Sequence, residues 1–382
     1  MTSASQPGSE IYRVAVKEGI PVVPLRMRTP FDPCAIMKCM WAIRKNSVDL
    51  VHTHSSVDSW CCSIAAKLLS IPVVRSRHIS APISTNFFSH FLYMRLADQI
   101  FTSGETIRQT MIRKNGYDPQ KIISNPAGVD EERFSPKINA DYIRRDSRIG
   151  KDDFLLGIVA MLRNWKGHRY LLESIKALGD KIPNIKVLIT GKGPQERNIR
   201  NYIRDNGLTK KVTMMGYRED VPQILRSLDL FVLPSYSNEG IPQGILQAMA
   251  MGIPVISTPT GGIGEVVRNG QTGMLVAPRS ARALSEAIYW AYRNREETVQ
   301  MAHKARELIL KKYTLAMTIA KTEQVYWAVL ESSRREKIPT PQYRYLDTLS
   351  LSSKLKKDMQ RRREVVMRLS SETRQTARGR FV

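Results

Sequence analysis

Short β-rich runs alternate with stretches of helical periodicity through the first third of the chain. The candidate strands there are residues 20–25, 49–53, 72–75, 99–102 and 122–124. Between them, apolar residues recur at helical spacing, for example over 58–69 and 105–114. Strands separated by helices in this way are typical of a parallel sheet with crossover connections. The pattern therefore predicts a Rossmann-like α/β domain over residues 1–148.

A second series of the same kind follows a polar segment of mixed charge at residues 137–153. Its candidate strands are 154–160, 185–190, 212–215, 228–233 and 254–257, and its candidate helices are 170–178, 195–206, 243–251 and 281–293. We expect a second doubly wound domain over 149–312, a helix over 313–333 and an extension over 334–382. Ligands of open parallel sheets lie beyond the carboxyl ends of the strands. The site is therefore expected in a cleft between two Rossmann-like domains.

The length and composition fit a folded protein of two domains. The chain has 382 residues, of which 42% are hydrophobic and 25% charged, which excludes collagen-like, low-complexity and wholly disordered proteins. No apolar run approaches the roughly 20 residues of a membrane-spanning helix, and no basic and then apolar leader opens the chain. We therefore expect a cytoplasmic location, in which the four cysteines at 34, 39, 61 and 62 are buried thiols.

Charge is the unusual quantity. The chain carries 59 Lys and Arg against 35 Asp and Glu, a net charge of +24. Such an excess attracts polyanions, and an anionic membrane surface and phosphorylated small molecules are the leading candidates. The extension 334–382 contributes 14 basic and 5 acidic residues, or +9, so it is either a membrane-attracted or a solvated segment. Charge alone leaves nucleic acid open, but aromatic residues are too sparse in this extension to favour it.

The segment from residue 237 to 267 carries the most informative chemistry. Glu239 follows a predicted strand, Gly240 permits a tight backbone path, and Pro242 suits the first position of a helix that continues with Gln243. The free N–H groups at such a helix start form an anion site, and Gln247 lies one turn further along. The alternative is that Glu239 only complements the helix dipole and Gln247 is an ordinary exposed residue.

Two basic side chains follow the first strand of the second domain. Arg163 and Lys166 project from its carboxyl end, where Arg can clamp diphosphate oxygens with two hydrogen bonds and Lys supplies a point charge. Gly191 and Gly193 follow the next strand and would let backbone approach a base or phosphate. The alternative is a solvated basic loop in a very basic protein.

Histidines end two neighbouring strands of the first domain. The strand 49–53 contains His52 near its end and is followed by His54, and His78 follows the strand 72–75. A single histidine is commonly a structural group, but three at adjacent strand ends favour a role in the cleft.

In their order along the chain, these residues resemble the donor half of glycosyltransferase family 4, retaining enzymes of the GT-B fold. The resemblance covers about residues 15–333. Its motifs are Arg163 with Lys166-Gly167, Gly191-x-Gly193, Glu239-Gly240 with Gln247 eight positions later, and Gly261-Gly262 with Glu265. It implies two doubly wound Rossmann-like domains that face a cleft.

The resemblance also implies roles for individual residues. His78 and Glu239 would orient the sugar as catalytic residues, and Arg163 and Lys166 would hold the leaving diphosphate. His54 would lie on the acceptor side of the cleft. The donor-binding residues would be Gly191, Gly193, Gly240, Ile241, Pro242, Gln243 and Gln247.

The sequence departs from the family pattern in two places. Gln247 replaces the second acid of the E-x7-E motif, so its carbonyl can accept one ribose hydroxyl but carries no charge. The family opens with a strand and a Gly-rich loop, whereas Met1 here leads almost directly into a helix and the strand 20–25. We therefore expect an N-terminally incomplete first domain, with an exposed apolar wall and an incomplete acceptor side.

The sequence as a whole predicts a retaining glycosyltransferase of envelope polysaccharide or lipopolysaccharide synthesis. It would move a sugar from a nucleotide-diphosphate donor to a glycan or lipid-linked acceptor, with a location on the inner membrane face as an option. No Asp-x-Asp motif and no zinc-type spacing occurs, so neither a metal site nor a cofactor is expected. The alternatives are a non-catalytic nucleotide-sugar-binding remnant and a basic nucleic-acid-binding protein.

Overall fold

The computed structural model describes residues 1–337, and residues 1–334 form one compact unit. Residues 338–382, which include most of the predicted basic extension, lie outside the described residues. The strands are β1 (Ser3–Ser5), β2 (Val22–Pro24), β3 (Val51–Thr53), β4 (Val73–Arg77), β5 (Gln99–Thr102), β6 (Ile122–Ser124), β7 (Phe154–Val159), β8 (Ile185–Thr190), β9 (Val212–Gly216), β10 (Leu230–Leu233), β11 (Val255–Ser257) and β12 (Met274–Leu275).

The helices alternate with these strands as the sequence pattern predicts. They are α1 (Glu10–Lys17), α2 (Pro33–Lys45), α3 (Ser56–Leu68), α4 (Phe87–Met94), α5 (Glu105–Asn115), α6 (Asp141–Asp146), α7 (His168–Leu178), α8 (Glu196–Asp205), α9 (Val221–Arg226), α10 (Gln243–Ala250), α11 (Ile263–Val266), α12 (Ala281–Arg293), α13 (Arg295–Lys312) and α14 (Leu315–Lys337). Among these helices, none is both long and apolar enough to cross a membrane.

The first domain contains two separate parallel sheets. Strands β3, β4, β5 and β6 form one sheet in chain order, whereas β1 pairs only with β2, and no described hydrogen-bonded ladder joins the two sheets. The sequence predicts that the chain leads almost directly into a helix, but the structure has the strand β1 before that helix. This strand was not predicted because Ser3–Ser5 lacks the apolar alternation of a typical strand. The first domain thus has parallel α/β architecture with an interrupted sheet.

The second domain has one six-stranded parallel sheet in the order β12-β11-β10-β7-β8-β9. Strand β7 pairs with β8 on one side and with β10 on the other. Strands β8 and β9 therefore extend the sheet in one direction and β10, β11 and β12 in the opposite one, so the strand order reverses between β7 and β10. That reversal is the topological switch point where doubly wound sheets bind ligands. Leu155, Leu156, Ile158 and Phe231 on these two strands are completely or almost completely buried, so the sheet centre is rigidly packed.

The hydrophobic cores do not follow the expected domain boundary at residue 148. Val129, Phe134 and Ile143, which precede this boundary, pack into the core of the second domain. Helix α14 returns to the first domain, where Val325 and Val329 pack on Val74 and Phe101. The polarity of 137–153 concealed the contact of Ile143, because only a few side chains of that segment are buried.

The expectation of four buried thiols is wrong in part. Cys39 and Cys61 are buried, but Cys62 is half-buried and Cys34 is exposed. Cys34 is the second residue of α2, two positions after the N-cap Asp32, and the buried face of that helix is formed by Ala35, Cys39 and Ile43. Helical position, which residue type does not specify, decides which thiols are inside.

Candidate active site

A lysine and a glutamate meet at the switch point of the second sheet. Lys166 ends a short 3₁₀ turn after β7, and Glu239 lies in the loop between β10 and α10. The Nζ of Lys166 lies 2.7 Å from Oε1 of Glu239 and donates to Oε2 at 2.9 Å. The lysine side chain is 16% exposed and that of the glutamate 6% exposed. The two charges therefore form a largely buried ion pair, in which one ammonium N–H donates to the carboxylate and the ammonium can still donate to another acceptor.

Glycines let three backbone segments converge around Glu239. Gly261 has φ +59°, and a Cβ there would lie 2.0 Å from the carbonyl oxygen of Glu239. Gly167 has φ +77°, and its Cβ would lie 2.0 Å from the carbonyl oxygen of Pro234. Only glycine fits both the left-handed backbone and the close approach at these two positions.

The loop that carries Glu239 also touches the first domain. The N–H of Ile241 donates to the carbonyl oxygen of Ser103 at 3.0 Å. Ser103 in turn donates its hydroxyl to the carbonyl oxygen of His78 at 2.8 Å. A Cβ on Gly240 would lie only 2.1 Å from Oγ of Ser103. The structure thus brings the Glu239 loop and the His78 strand end together, and Ser103 is a junction that sequence reasoning missed.

Helix α10 begins at Gln243, as the predicted range 243–251 has it, but Pro242 precedes the first helical position instead of occupying it. Pro242 is its N-cap, with extended backbone, and Gln243 is its first helical residue. Gln243 donates its side-chain amide to the carbonyl oxygen of Ala127 at 2.8 Å, so this amide bridges to the first domain. Gln247 is half-buried and makes no side-chain hydrogen bond to the described part of the chain, which leaves its amide free for a ligand.

Arg163 lies on the same loop as Lys166, whose N–H donates to the carbonyl oxygen of Arg163 at 3.1 Å. It is half-buried, and its guanidinium lies 5.0 Å from the ring centroid of Trp165. Within residues 1–334 it has no carboxylate partner. An aromatic stack that holds a guanidinium without neutralising it leaves the charge available to an anion.

Gly191 and Gly193 serve the packing of neighbouring loops. A Cβ on Gly191 would lie 2.0 Å from the carbonyl oxygen of Ala160, and one on Gly193 would lie 2.6 Å from that of Leu162. The N–H of Leu162 donates to the carbonyl oxygen of Lys192 at 3.0 Å. These contacts show that the two glycines hold the β8 loop against the segment that leads to Arg163. Their contact with a donor stays a prediction.

Two of the three histidines form a pair at the cleft side of the first domain. Nδ1 of His54 lies 3.1 Å from Nε2 of His78, and the rings are stacked with centroids 5.4 Å apart. Loss of hydration lowers the pKa of both rings, and for His78 the charge of His54 lowers it further. The pair therefore favours the neutral state at pH 7, in which one ring donates to the other.

His52 has a different position and no free ring nitrogen. It bonds to the hydroxyl of Ser76 at 2.8 Å and to the hydroxyl of Tyr326 on α14. Burial lowers the pKa of His52 to about 3. This histidine is a neutral structural link between the sheet and the last described helix, as the alternative interpretation of a single histidine predicts.

Glu265 makes a second contact between the domains. Its carboxylate accepts the N–H groups of Glu105 and Thr106, each at 2.8 Å. These are the first two residues of α5, so a carboxylate of the second domain caps a first-domain helix. Sequence spacing offered no signal for this role, because 159 and 160 positions separate the partners.

His168 is a buried residue beside the ion pair that the motifs did not indicate. It begins α7, two positions after Lys166, and is 3% exposed. Burial first, and then the charge of Lys166, lowers the pKa of His168 to about 4. A neutral imidazole thus lies behind the cationic loop. Across the described residues, no group of three or more His, Cys, Asp or Glu side chains is placed to hold a metal ion.

Comparison with known protein families gives two matches that together follow the two domains. Residues 2–133 match the family model described as Glycosyltransferase Family 4, and residues 139–308 match Glycosyl transferases group 1. The second match contains every residue of the Lys166 and Glu239 site, and the first contains His54 and His78.

Curated relatives cover most of the chain. A UDP-Gal:alpha-D-GlcNAc-diphosphoundecaprenol alpha-1,3-galactosyltransferase of Escherichia coli is 30% identical over 74% of this chain and 76% of its own length. Putative glycosyltransferase EpsD of Bacillus subtilis is 26% identical over 82% of this chain and 86% of its own. The putative colanic acid biosynthesis glycosyltransferase WcaL of E. coli K12 is 30% identical over 64% and 63%.

Solved structures of the same fold include a glycosyltransferase from Rickettsia africae, with a TM-score of 0.78 and 20% identity over 86% of this chain and 90% of that one. The Anabaena protein HepE, solved with UDP-glucose, also has a TM-score of 0.78 and 20% identity, over 86% and 91%. At this identity the likeness shows the fold, which is GT-B with two Rossmann-like domains.

Proposed function

This chain belongs to glycosyltransferase family 4, and we propose that it transfers a sugar, with retention of configuration, from a nucleotide-diphosphate donor to a glycan or lipid-linked acceptor. Its enzyme class, glycosyltransferase, follows from its family.

The observation that carries the proposal is the Lys166–Glu239 pair at the switch point. One ammonium N–H of Lys166 donates to Oε2 of Glu239, and the ammonium can donate another N–H to a phosphate oxygen. Arg163 adds a second cation that has no carboxylate partner in residues 1–334. The N-terminal turn of α10 adds positive dipole, and Gln247 one turn along offers an amide to ribose.

These groups suit a leaving diphosphate. In the proposed step the acceptor oxygen bonds to the anomeric carbon on the face from which the nucleoside diphosphate departs. The bond from that carbon to the phosphate oxygen breaks, and the departing oxygen takes the acceptor proton. Negative charge grows on the diphosphate as the bond lengthens, so Arg163 and Lys166 stabilise the transition state more than the bound donor. No metal or other cofactor has a part in this step.

Glu239 and His78 would orient the sugar between the domains. The Glu239 loop meets the His78 strand end through Ser103, so both side chains belong to one junction. The neutral imidazole pair of His54 and His78 can donate to a sugar or acceptor hydroxyl without adding charge near the anomeric centre. We assign His54, the other member of this pair, to the acceptor side.

The E. coli relative, by its printed name, transfers galactose from UDP-Gal to a sugar linked to diphosphoundecaprenol. We extend the same substrate class to this chain: a UDP-sugar donor and a lipid-linked acceptor in envelope polysaccharide or lipopolysaccharide synthesis. The net charge of +24 supports work at an anionic membrane face on the cytoplasmic side. The extension 334–382, with its charge of +9, would add electrostatic attraction there.

The test is a donor panel followed by product analysis. The full chain is incubated with UDP-glucose, UDP-galactose and UDP-N-acetylglucosamine, together with N-acetylglucosaminyl-diphospho-lipid acceptors. We expect UDP release that depends on the acceptor, an α-linked product by nuclear magnetic resonance, and an unchanged rate in excess EDTA. A β-linked product would contradict retention, and loss of activity in EDTA that Mg²⁺ restores would contradict the metal-independent step.

A second candidate is nucleotide-sugar binding without transfer. The interrupted sheet of the first domain favours it, because β1 and β2 pair apart from the sheet that carries His54 and His78. UDP binding by calorimetry without turnover for any donor and acceptor would support this candidate over the enzyme. Binding to duplex DNA or RNA at physiological salt would instead support the nucleic-acid alternative.

A further inference from the structure

Three phenylalanines project from the outer face of α4. Phe87 is 74% exposed, Phe88 60% and Phe91 36%, while Leu92, Tyr93 and Met94 on the same helix are buried. The ring centroid of Phe87 lies 6.0 Å from those of both Phe88 and Phe91, so the three rings form one surface, the phenyl patch. Contiguous exposed aromatic surface is costly in water and marks an interaction site.

The patch has a cationic rim. Arg95 follows Phe91 by four positions and is exposed, which places it next to that ring along the helix. The exposed Arg113 and Lys114 lie in the last turn of helix α5. The last residue of that helix, Asn115, donates to the carbonyl oxygen of Ile83 at 3.1 Å, which ties α5 to the loop before α4.

Acidic residues are absent from this part of the sequence. No Asp or Glu occurs between Asp58 and Asp98. Asp58 accepts N–H groups of His54 and Ser55, and Asp98 is paired with Lys67 at 2.7 Å. Asp118 also neighbours α4, and its carboxylate accepts the N–H of Gln120. The positive rim of the phenyl patch is therefore not cancelled by the acids around it.

The phenyl patch lies close to the proposed acceptor side. Only residues 79–86 separate His78 from Phe87, and nine steps of chain span at most about 30 Å. The side chain of Arg77 donates to the carbonyl oxygen of Ala81, which draws this connection back toward the strand. Docking of the phenyl patch would therefore keep His78 within about 30 Å of the surface that holds the patch.

We propose that the phenyl patch docks into the surface of an anionic phospholipid bilayer, with the rings at the headgroup level and the rim cations on lipid phosphates. This inference rests on the proposed function, because docking there would bring a lipid-linked acceptor to the cleft. A second copy is a poorer occupant: a two-fold interface sets like against like, so the cations of the two rims would face each other. Aromatic rings flanked by Arg and Lys suit the bilayer interface instead.

The test is co-sedimentation of the full chain with vesicles. The variant Phe87→Ser, Phe88→Ser, Phe91→Ser is compared with the parent on phosphatidylglycerol–phosphatidylcholine vesicles, at low and at raised salt. We expect at least about a tenfold loss of binding that persists when salt screens the basic extension. The matched control is Tyr289→Ser, Trp290→Ser, which removes exposed aromatic rings from α12 of the second domain and should bind like the parent.

A second variant tests the proposal with no change to a phenylalanine, so that misfolding of the serine variant cannot decide the result. Arg95→Glu, Arg113→Glu, Lys114→Glu changes only exposed rim positions and should weaken binding to anionic vesicles at low salt. Equal vesicle binding by the parent and either variant would overturn the proposal. The proposal would also be overturned if the parent does not bind vesicles but is dimeric by light scattering, and if the serine variant is monomeric. The phenyl patch would then be occupied by a second copy of the chain.

UDP binding by calorimetry separates this inference from the proposed function. All variants should bind UDP like the parent, since the phenyl patch is outside the donor site. A chain that docks on vesicles through the phenyl patch yet binds no UDP would contradict the proposed function and leave the docking surface in place.

Discussion

The ammonium of Lys166 lies 2.7 Å from the carboxylate of Glu239, although 73 positions separate the two residues along the chain. Both are nearly buried, so each depends on the other for compensation of its charge. This pair links the loops after β7 and β10 at the point where the strand order reverses.

We expect Lys166→Ala to impair both stability and catalysis. Removal of one partner of a buried pair typically costs about 3–5 kcal/mol, and loss of a leaving-group cation costs about 2–4 kcal/mol of transition-state stabilisation. The double variant Lys166→Met, Glu239→Gln should recover much of the stability but not the single-turnover rate. Denaturant unfolding and rapid-quench kinetics measure the two effects, with Arg169→Ala, an exposed residue on α7, as the control. A double variant with the parent's rate would contradict the catalytic assignment.

We expect Arg163→Ala to slow the chemical step by about 2–4 kcal/mol while donor affinity changes less, because charge grows on the diphosphate as the bond breaks. Stability should change little, since the guanidinium only stacks on Trp165. Single-turnover rates with saturating donor measure the effect. Arg197→Ala, which removes an exposed cation from α8, should retain the parent's rate. If the two variants behave alike, Arg163 has no special role.

We expect Gln247→Glu to keep or improve UDP affinity and Gln247→Leu to weaken it by about 1 kcal/mol, the net worth of one hydrogen bond. The reason is that the amide lies one turn into α10 without a side-chain partner in residues 1–334. Isothermal calorimetry with UDP compares the three proteins. Equal affinities for Gln, Glu and Leu would show that this side chain does not contact the nucleotide.

We expect Gly240→Ala to disturb the junction between the domains. The new methyl group would lie 2.1 Å from Oγ of Ser103 and 2.9 Å from the carbonyl oxygen of His78, so the Glu239 loop must move. Turnover should fall at least about tenfold, since a displacement of about 1 Å in a reacting geometry can cost a hundredfold. Ser103→Gly added to Gly240→Ala should restore part of the rate. Gly264→Ala is the control, because a Cβ there meets nothing within 4 Å.

We expect acid to destabilise the protein partly through His168. Its pKa falls from 6.5 to about 4 on folding, so between these pH values the unfolded chain binds a proton that the folded chain does not. Its contribution is present above pH 6.5 and is lost progressively as the pH falls toward 4, by about 3 kcal/mol in total. In His168→Leu the loss of stability between pH 7 and pH 4 should be smaller by that amount. Denaturant unfolding at the two pH values measures it, and the exposed His303→Gln should lose as much stability as the parent.

Local pattern was enough to locate most of the regular elements. The predicted strands 99–102, 122–124 and 185–190 and the helix 281–293 have the same bounds in the structure, because buried parallel strands are short apolar runs and α12 is strongly amphipathic. Helix α4 was missed since it is apolar on its exposed face as well as its buried one. A pattern that assumes polar outer faces cannot identify such a helix.

The family and the cationic loop after β7 were accessible to sequence alone, because motif residues adjacent in the chain stay adjacent in space. That Arg163, Lys166, Glu239 and Gln247 belong to one donor site was inferred from their order and spacing, and it stays a prediction. The ion pair between Lys166 and Glu239 could not be predicted from the sequence, because it depends on which strands become neighbours in the sheet.

What the sequence determined is therefore local: two α/β series, glycines where backbone turns tightly, and charged residues at strand ends. Only the tertiary structure decided that Gly191 and Gly193 pack against the preceding loop, that Gln243 reaches Ala127, and that Glu265 caps α5. These contacts join segments from about 30 to 160 positions apart, and nothing in the pattern of either segment encodes the distance to the other. The physical reason is that backbone geometry and burial are set by neighbours in space, which are chosen when both sheets and their covering helices pack together.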